Sequence, residues 1–108
     1  MQANNSSIDN CLILTGVVAT SVKQSLSPAG IANGSFYLEH RSMKTEANLQ
    51  RQAWCKIKVV LAGNQFSLIT QQILVGAKVR VKGFIHSHKG YNNLSQLVLH
   101  AEQLEFID

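Results

Sequence analysis

The sequence predicts an all-β domain: a five-stranded Greek-key barrel of the OB type with a short helix between strands three and four. Three observations carry this. Four segments alternate apolar and polar residues with the period of a strand, and a fifth, near the N-terminus, is a short apolar run of strand length. One segment, "NQFSLITQQILVG" at 64–76, changes to a helical period and follows three strands and precedes two. The chain has 108 residues, enough for one domain with a modest core. An SH3-like barrel is the rival, but it has no helix at that position.

Residues 1–9, "MQANNSSID", are polar and read as a flexible segment ahead of a single domain at 10–108. "CLILTGVVATSV" is the first strand, apolar on both faces, so both need covering. Gly16 in its interior predicts a bulge or bend. "KQSLSPAGIANG" reads as a loop punctuated by Pro28, Gly30 and Gly34. "SFYLEHRSM" is the second strand, with Phe36, Leu38 and His40 on one face and Tyr37, Glu39 and Arg41 on the other. "KTEANLQRQ" reads as a polar loop. In the third strand, "AWCKIKVVLAG", Cys55, Ile57, Val59 and Leu61 point inward and Trp54, Lys56 and Lys58 outward.

In the helical segment Phe66, Ile69 and Ile73 share a face, Asn64 is placed to cap the start, and Gly76 to end it. "AKVRVKGFIH" is the fourth strand. Val79, Val81 and Ile85 face inward; Lys78, Arg80, Lys82, Phe84 and His86 face outward. "LVLHAEQLEFI" is the fifth, and its alternation slips near Gln103, as a bulge would make it. Between these two strands "SHKGYNNLSQL", at 87–97, reads as a long polar hairpin tip.

The formal net charge is +4, but its distribution says more. From Ala47 to Ala101 there is no acid, while Arg51, Lys56, Lys58, Lys78, Arg80, Lys82 and Lys89 all fall there. A polyanion is the natural partner for such a field, and a solvated basic surface is the plainer reading. Cys11 and Cys55 lack C-x-x-C spacing and read as reduced core residues of a cytosolic protein. "CLILTGVVATS" follows Asp9 with no basic residue before it, which argues against a signal peptide; no run is long enough to cross a membrane.

Catalytic chemistry is poorly supplied. The six acids are scattered, and no phosphate-cradling, dinucleotide or zinc-protease motif occurs. His86 and His88 share a strand face, and His100 could approach across the hairpin. Without a further ligand this is not a tetrahedral site, so they read as polar residues at the barrel mouth, with no metal or cofactor.

The outward face is the stronger signal. Tyr37, Trp54 and Phe84 each stand among cations on their strands. Aromatic rings stack on bases and cations hold the backbone phosphates, which is how OB folds grip single strands; a duplex offers no free base faces. Trp54, with lysines as its neighbours, reads as a stacking residue against the alternative of a core or interface residue. Lys89 and Tyr91 at the hairpin tip would extend that platform. A mobile, wet tip is the plainer reading.

The motifs "SPAGI", "LEHRS", "RQAWC", "GFI" followed by "SHK", and "LVLHAEQ", spread from Ser27 to Asp108, are similar to the primosomal replication protein N (PriB) family. The resemblance implies a bacterial, cytoplasmic homodimer, without enzymatic activity and associated with the nucleoid during replication restart. It implies binding of single-stranded DNA and a bridge between the PriA restart helicase and DnaT. It points to the arginine of "LEHRS", the tryptophan of "RQAWC" and the lysine of "SHK": Arg41, Trp54 and Lys89. Tyr91 and Gln96 stand where the family is commonly basic. The expected single-stranded DNA set is Arg41, Trp54, Lys89, Tyr91, Arg51, Lys56, Lys58 and Lys82. An RNA-binding OB module and a protein–protein adaptor remain alternatives.

Overall fold

The computed structural model describes residues 8–90 and 92–107, so most of the expected N-terminal segment, together with Tyr91 and Asp108, lies outside the described residues. Six strands form one sheet: β1 (Leu12–Val18), β2 (Lys23–Leu26), β3 (Ala32–Glu46), β4 (Leu49–Ala62), β5 (Lys78–Lys89) and β6 (Ser95–Phe106). Their order is β1-β5-β6-β4-β3-β2, and a β1–β3 pairing closes the five long strands into the expected OB-type barrel. All pairings are antiparallel except β4 with β6.

The inward alternation builds the core. Phe36 and Leu38 of β3, Val59 and Leu61 of β4, Val79 and Val81 of β5 and Leu99 of β6 are almost wholly buried. Each such side chain contributes on the order of 1.5–3 kcal/mol. Closure depends on two glycines. β1 leaves β5 for β3 just after Gly16, where a Cβ would run into the Glu39 carbonyl. At Gly83 a Cβ would collide with the His100 carbonyl. Beside it the ladder steps from Lys82↔Gln103 to Gly83↔Ala101, leaving Glu102 as the extra residue of a β6 bulge next to Gln103, where the alternation slips.

Several expectations are corrected. "KQSL" is a strand, not loop: β2 pairs with 32–35 of β3, yet all four of its residues are exposed. Backbone bonding alone makes it a strand, so no alternation announces it. "KTEANLQRQ" is mostly strand as well. β3 and β4 run past the barrel as a ribbon to a two-residue turn at Ala47 (φ 53°) and Asn48 (φ 64°), the left-handed pair of a tight hairpin. A ribbon wet on both sides has no apolar period to read.

The helical segment forms two 3₁₀ turns, Asn64–Phe66 and Ile69–Gln72, not one helix. Phe66 and Ile73 are buried and Ile69 packs against the core, as their spacing suggests, but Asn64 begins the first turn and makes no side-chain cap. β-Branched Ile69, Thr70 and Ile73 weaken a longer helix, and the Thr70 hydroxyl bonds instead to the Ser67 carbonyl (3.0 Å). The C-terminal hairpin tip is also shorter than expected, because pairing continues to Lys89↔Ser95. Cys55 is half-buried, but Cys11 is exposed rather than in the core, one residue ahead of β1.

Candidate nucleic-acid interface

Register brings the outward residues of four strands onto one face. Across β3 and β4, Arg41 lies opposite Trp54, Glu39 opposite Lys56, and Tyr37 opposite Lys58. Lys58 is next to Val98 of β6, and Val98 next to His86 of β5. One row further on, Val60, His100 and Phe84 align. Val98 is buried (2% exposed) although it stands outside the core cluster, and it floors the middle of this face.

Trp54 is 54% exposed, so a ring face is open to a ligand. Its edge is held: the indole N–H donates to Glu39 Oε2 at 2.8 Å, and Arg41 Nη2 donates to the same oxygen at 3.0 Å. The indole hydrogen bond, with the Arg41 and Lys56 charges, keeps the Glu39 carboxyl below its ordinary pKa. Alternation had set Glu39 on this face without giving it a role. The missing information was register, which the two-residue turn at 47–48 fixes. Nearby, Lys56 Nζ lies 6.0 Å from the centre of the Tyr37 ring, and the Tyr37 hydroxyl accepts a 2.7 Å bond from Gln96 Nε2.

At the other end is a ring stack. Phe84 lies on His100 (centroids 5.0 Å apart, planes within 9°), and His88 follows at 5.3 Å. The Nε2 atoms of His88 and His100 are 3.1 Å apart, an N–H···N bond that needs one ring to accept. Burial, then the neighbouring His88 and His86, push the His100 pKa down. Among the described residues no set of three or more His, Cys, Asp or Glu side chains is arranged to hold a metal. A groove of about 430 Å³ beside the stack is lined by Lys58, Val60, His88 and His100 with Asn33 and Ser35 of β3.

Arg41, Trp54, Lys56 and Lys58 are thus brought together; the other expected residues are not. Arg51 pairs with Lys44 on the alternate side of the ribbon and bonds Glu46 Oε1 at 3.1 Å. Lys82 pairs with Ile13 and Gln103 and shares a shallow hollow with Arg80 and Glu105. Lys89 closes β5 opposite Ser95, exposed, on the side of the arm away from His88. Tyr91 lies outside the described residues.

Comparison with known proteins agrees with this architecture. A family profile described as "Another single-strand binding protein family" matches residues 10–103. A replication restart protein PriB from Actinobacillus pleuropneumoniae is 70% identical over 106 residues, covering 98% of this chain and 86% of that protein. The solved PriB from Ralstonia solanacearum superposes with a TM-score of 0.73 at 23% identity, covering 92% of this chain and 99% of that one. A Plasmodium falciparum SSB, solved in complex with single-stranded DNA, superposes with a TM-score of 0.77 at 16% identity over the whole of both chains. At such identities the two structures speak to the fold alone.

Proposed function

The chain belongs to the PriB family of replication restart proteins, and from that membership and its outer face we propose that it binds single-stranded DNA as a non-enzymatic accessory of replication restart. The observation that carries this reading is the Arg41–Trp54 pair, an open indole face beside a guanidinium, one row from Lys56 and two from Lys58. An exposed ring supplies stacking that tolerates any base, and the cations follow the phosphates. The groove by Lys58 and the His88–His100 pair continues the face toward β5 and β6.

The working unit is a homodimer in the bacterial cytoplasm that binds DNA and bridges the restart helicase PriA to DnaT. Ile13 (57% exposed) and Val17 (40%) on the outer side of β1 are the apolar surface that a second copy covers. Competition among single-stranded DNA, RNA of the same sequence and duplex DNA tests the proposal. Preference for single-stranded DNA supports it. Equal preference for RNA favours an RNA module, and retained helicase binding in a protein indifferent to all three favours an adaptor.

A further inference from the structure

All three arginines of the chain stand in ion pairs. Arg41 pairs with Glu39, Arg51 with Glu46 and Arg80 with Glu105, at 3.0, 3.1 and 2.7 Å, whereas among the described residues no lysine has such a partner. Only the first pair lies on the face assigned to DNA. There a single carboxylate oxygen collects an indole N–H and a guanidinium N–H, while Lys56 stands opposite Glu39 in register. Lys78 adds a fourth positive or donor group, lining with Arg41 and Glu39 a hollow of about 390 Å³. An anionic oxygen receiving two N–H donors among cations is also what a backbone phosphodiester oxygen presents.

We propose that Arg41, the Trp54 indole N–H and Lys56 form a phosphodiester-binding subsite that Glu39 occupies in the free protein as an internal stand-in for phosphate. The inference rests on the reading that single-stranded DNA lies on this face. The Arg41 and Glu39 side chains are 60% and 33% exposed, and an ion pair so exposed is weak. It orients the Arg41 guanidinium and the Trp54 edge without holding them against a competitor. An arriving phosphate takes both donors, and the carboxylate turns out to solvent. DNA binding is thereby an exchange of anions at this point, and part of its affinity is given up to displace Glu39.

The test is Glu39→Gln, nearly the same shape without the charge, with Glu39→Ala as a second variant should the amide keep either bond. Binding of oligo(dT) and of an abasic deoxyribose-phosphate strand of equal length is measured by anisotropy across salt. Both variants are expected to bind oligo(dT) about three- to tenfold more tightly at low salt. The log–log salt slope should steepen by about 0.7, one further phosphate neutralised on a single strand. The same gain should appear with the abasic strand and vanish in an Arg41→Ala background. Unchanged or weaker binding by both variants, a gain confined to oligo(dT), or a gain that survives Arg41→Ala each overturns the inference. A wild-type protein that binds no single strand would sink the underlying reading itself; wild-type binding without a gain in the variants would sink only the stand-in role.

Discussion

Removing the Trp54 ring separates a stacking residue from a structural one. A tryptophan side chain presents about 200 Å² or slightly more, and with 54% of this residue exposed roughly 100 Å² is covered. At about 25 cal/mol per Å², Trp54→Ala costs the fold about 2.5 kcal/mol of burial, itself an upper figure because the unfolded chain also covers apolar surface, and roughly 1 kcal/mol more for the lost indole bond to Glu39. A domain stable by about 5–15 kcal/mol stays folded after such a loss. Loss of one base stack costs about 1–3 kcal/mol in binding, roughly a 5- to 150-fold rise in Kd. Trp54→Phe keeps a ring and loses only the N–H, so it should stay within about fivefold of wild type. Anisotropy with labelled oligo(dT) gives the Kd values, and urea unfolding checks the fold. Trp54 is the only tryptophan, so its emission should be quenched on saturation. Wild-type affinity in Trp54→Ala, or unchanged emission at saturation, refutes stacking; an unfolded alanine variant would mean that the ring is structural.

At the hairpin tip, Lys89 lies off the β3–β4 face, so it contributes only if the strand continues around the end of β5: in that case Lys89→Ala should weaken binding alike for all base sequences and flatten the salt slope by about 0.7, Tyr91→Ala should weaken it with the slope unchanged, and Tyr91→Phe should not weaken it. If the tip serves a protein partner instead, both alanine variants will bind DNA normally and lose the helicase. Ile13→Glu should turn a dimer at micromolar concentration into a monomer by sedimentation, since it charges an exposed apolar side chain of β1; a monomeric wild type would contradict this. His100 resists protonation in the fold, so the unfolded chain takes up that proton more readily. Stability should therefore be full above the ordinary pKa of 6.5 and fall as pH drops through it toward the lowered folded value; His100→Gln should lose that part of the slope in urea midpoints at several pH values.

What the sequence made legible follows where burial lies. β4 and β5 have one face in the core and one in water, so Ile57, Val59, Val79 and Val81 declared both strands, and Trp54, Lys56 and Lys58 fell on the outer face by parity. β2 and the β3–β4 ribbon are held by main-chain bonds in solvent, and hydropathy carries no trace of those. The ribbon's parity also explains Arg51: charge alone placed it in the site, whereas its position two residues from Ala53 and opposite Lys44 sends it to the other side. Glu39 was visible as a neighbour of Arg41, but its hold on Trp54 spans 15 residues and depends on a turn that composition disguised as loop. The Gln96–Tyr37 bond and the His88–His100 pair are equally matters of register, joining strands distant in sequence.

On the proposed function, the β3–β4 outer face holds a single strand by its phosphates and bases together. The most direct measurement is the salt dependence of oligo(dT) binding by anisotropy, with duplex DNA of the same length alongside. If each subunit neutralises about three phosphates, log K should fall against log salt with a slope of roughly −2 per subunit, and duplex should bind more weakly throughout. A flat salt profile, or duplex binding as tight as the single strand, would mean that this face does not grip a single strand.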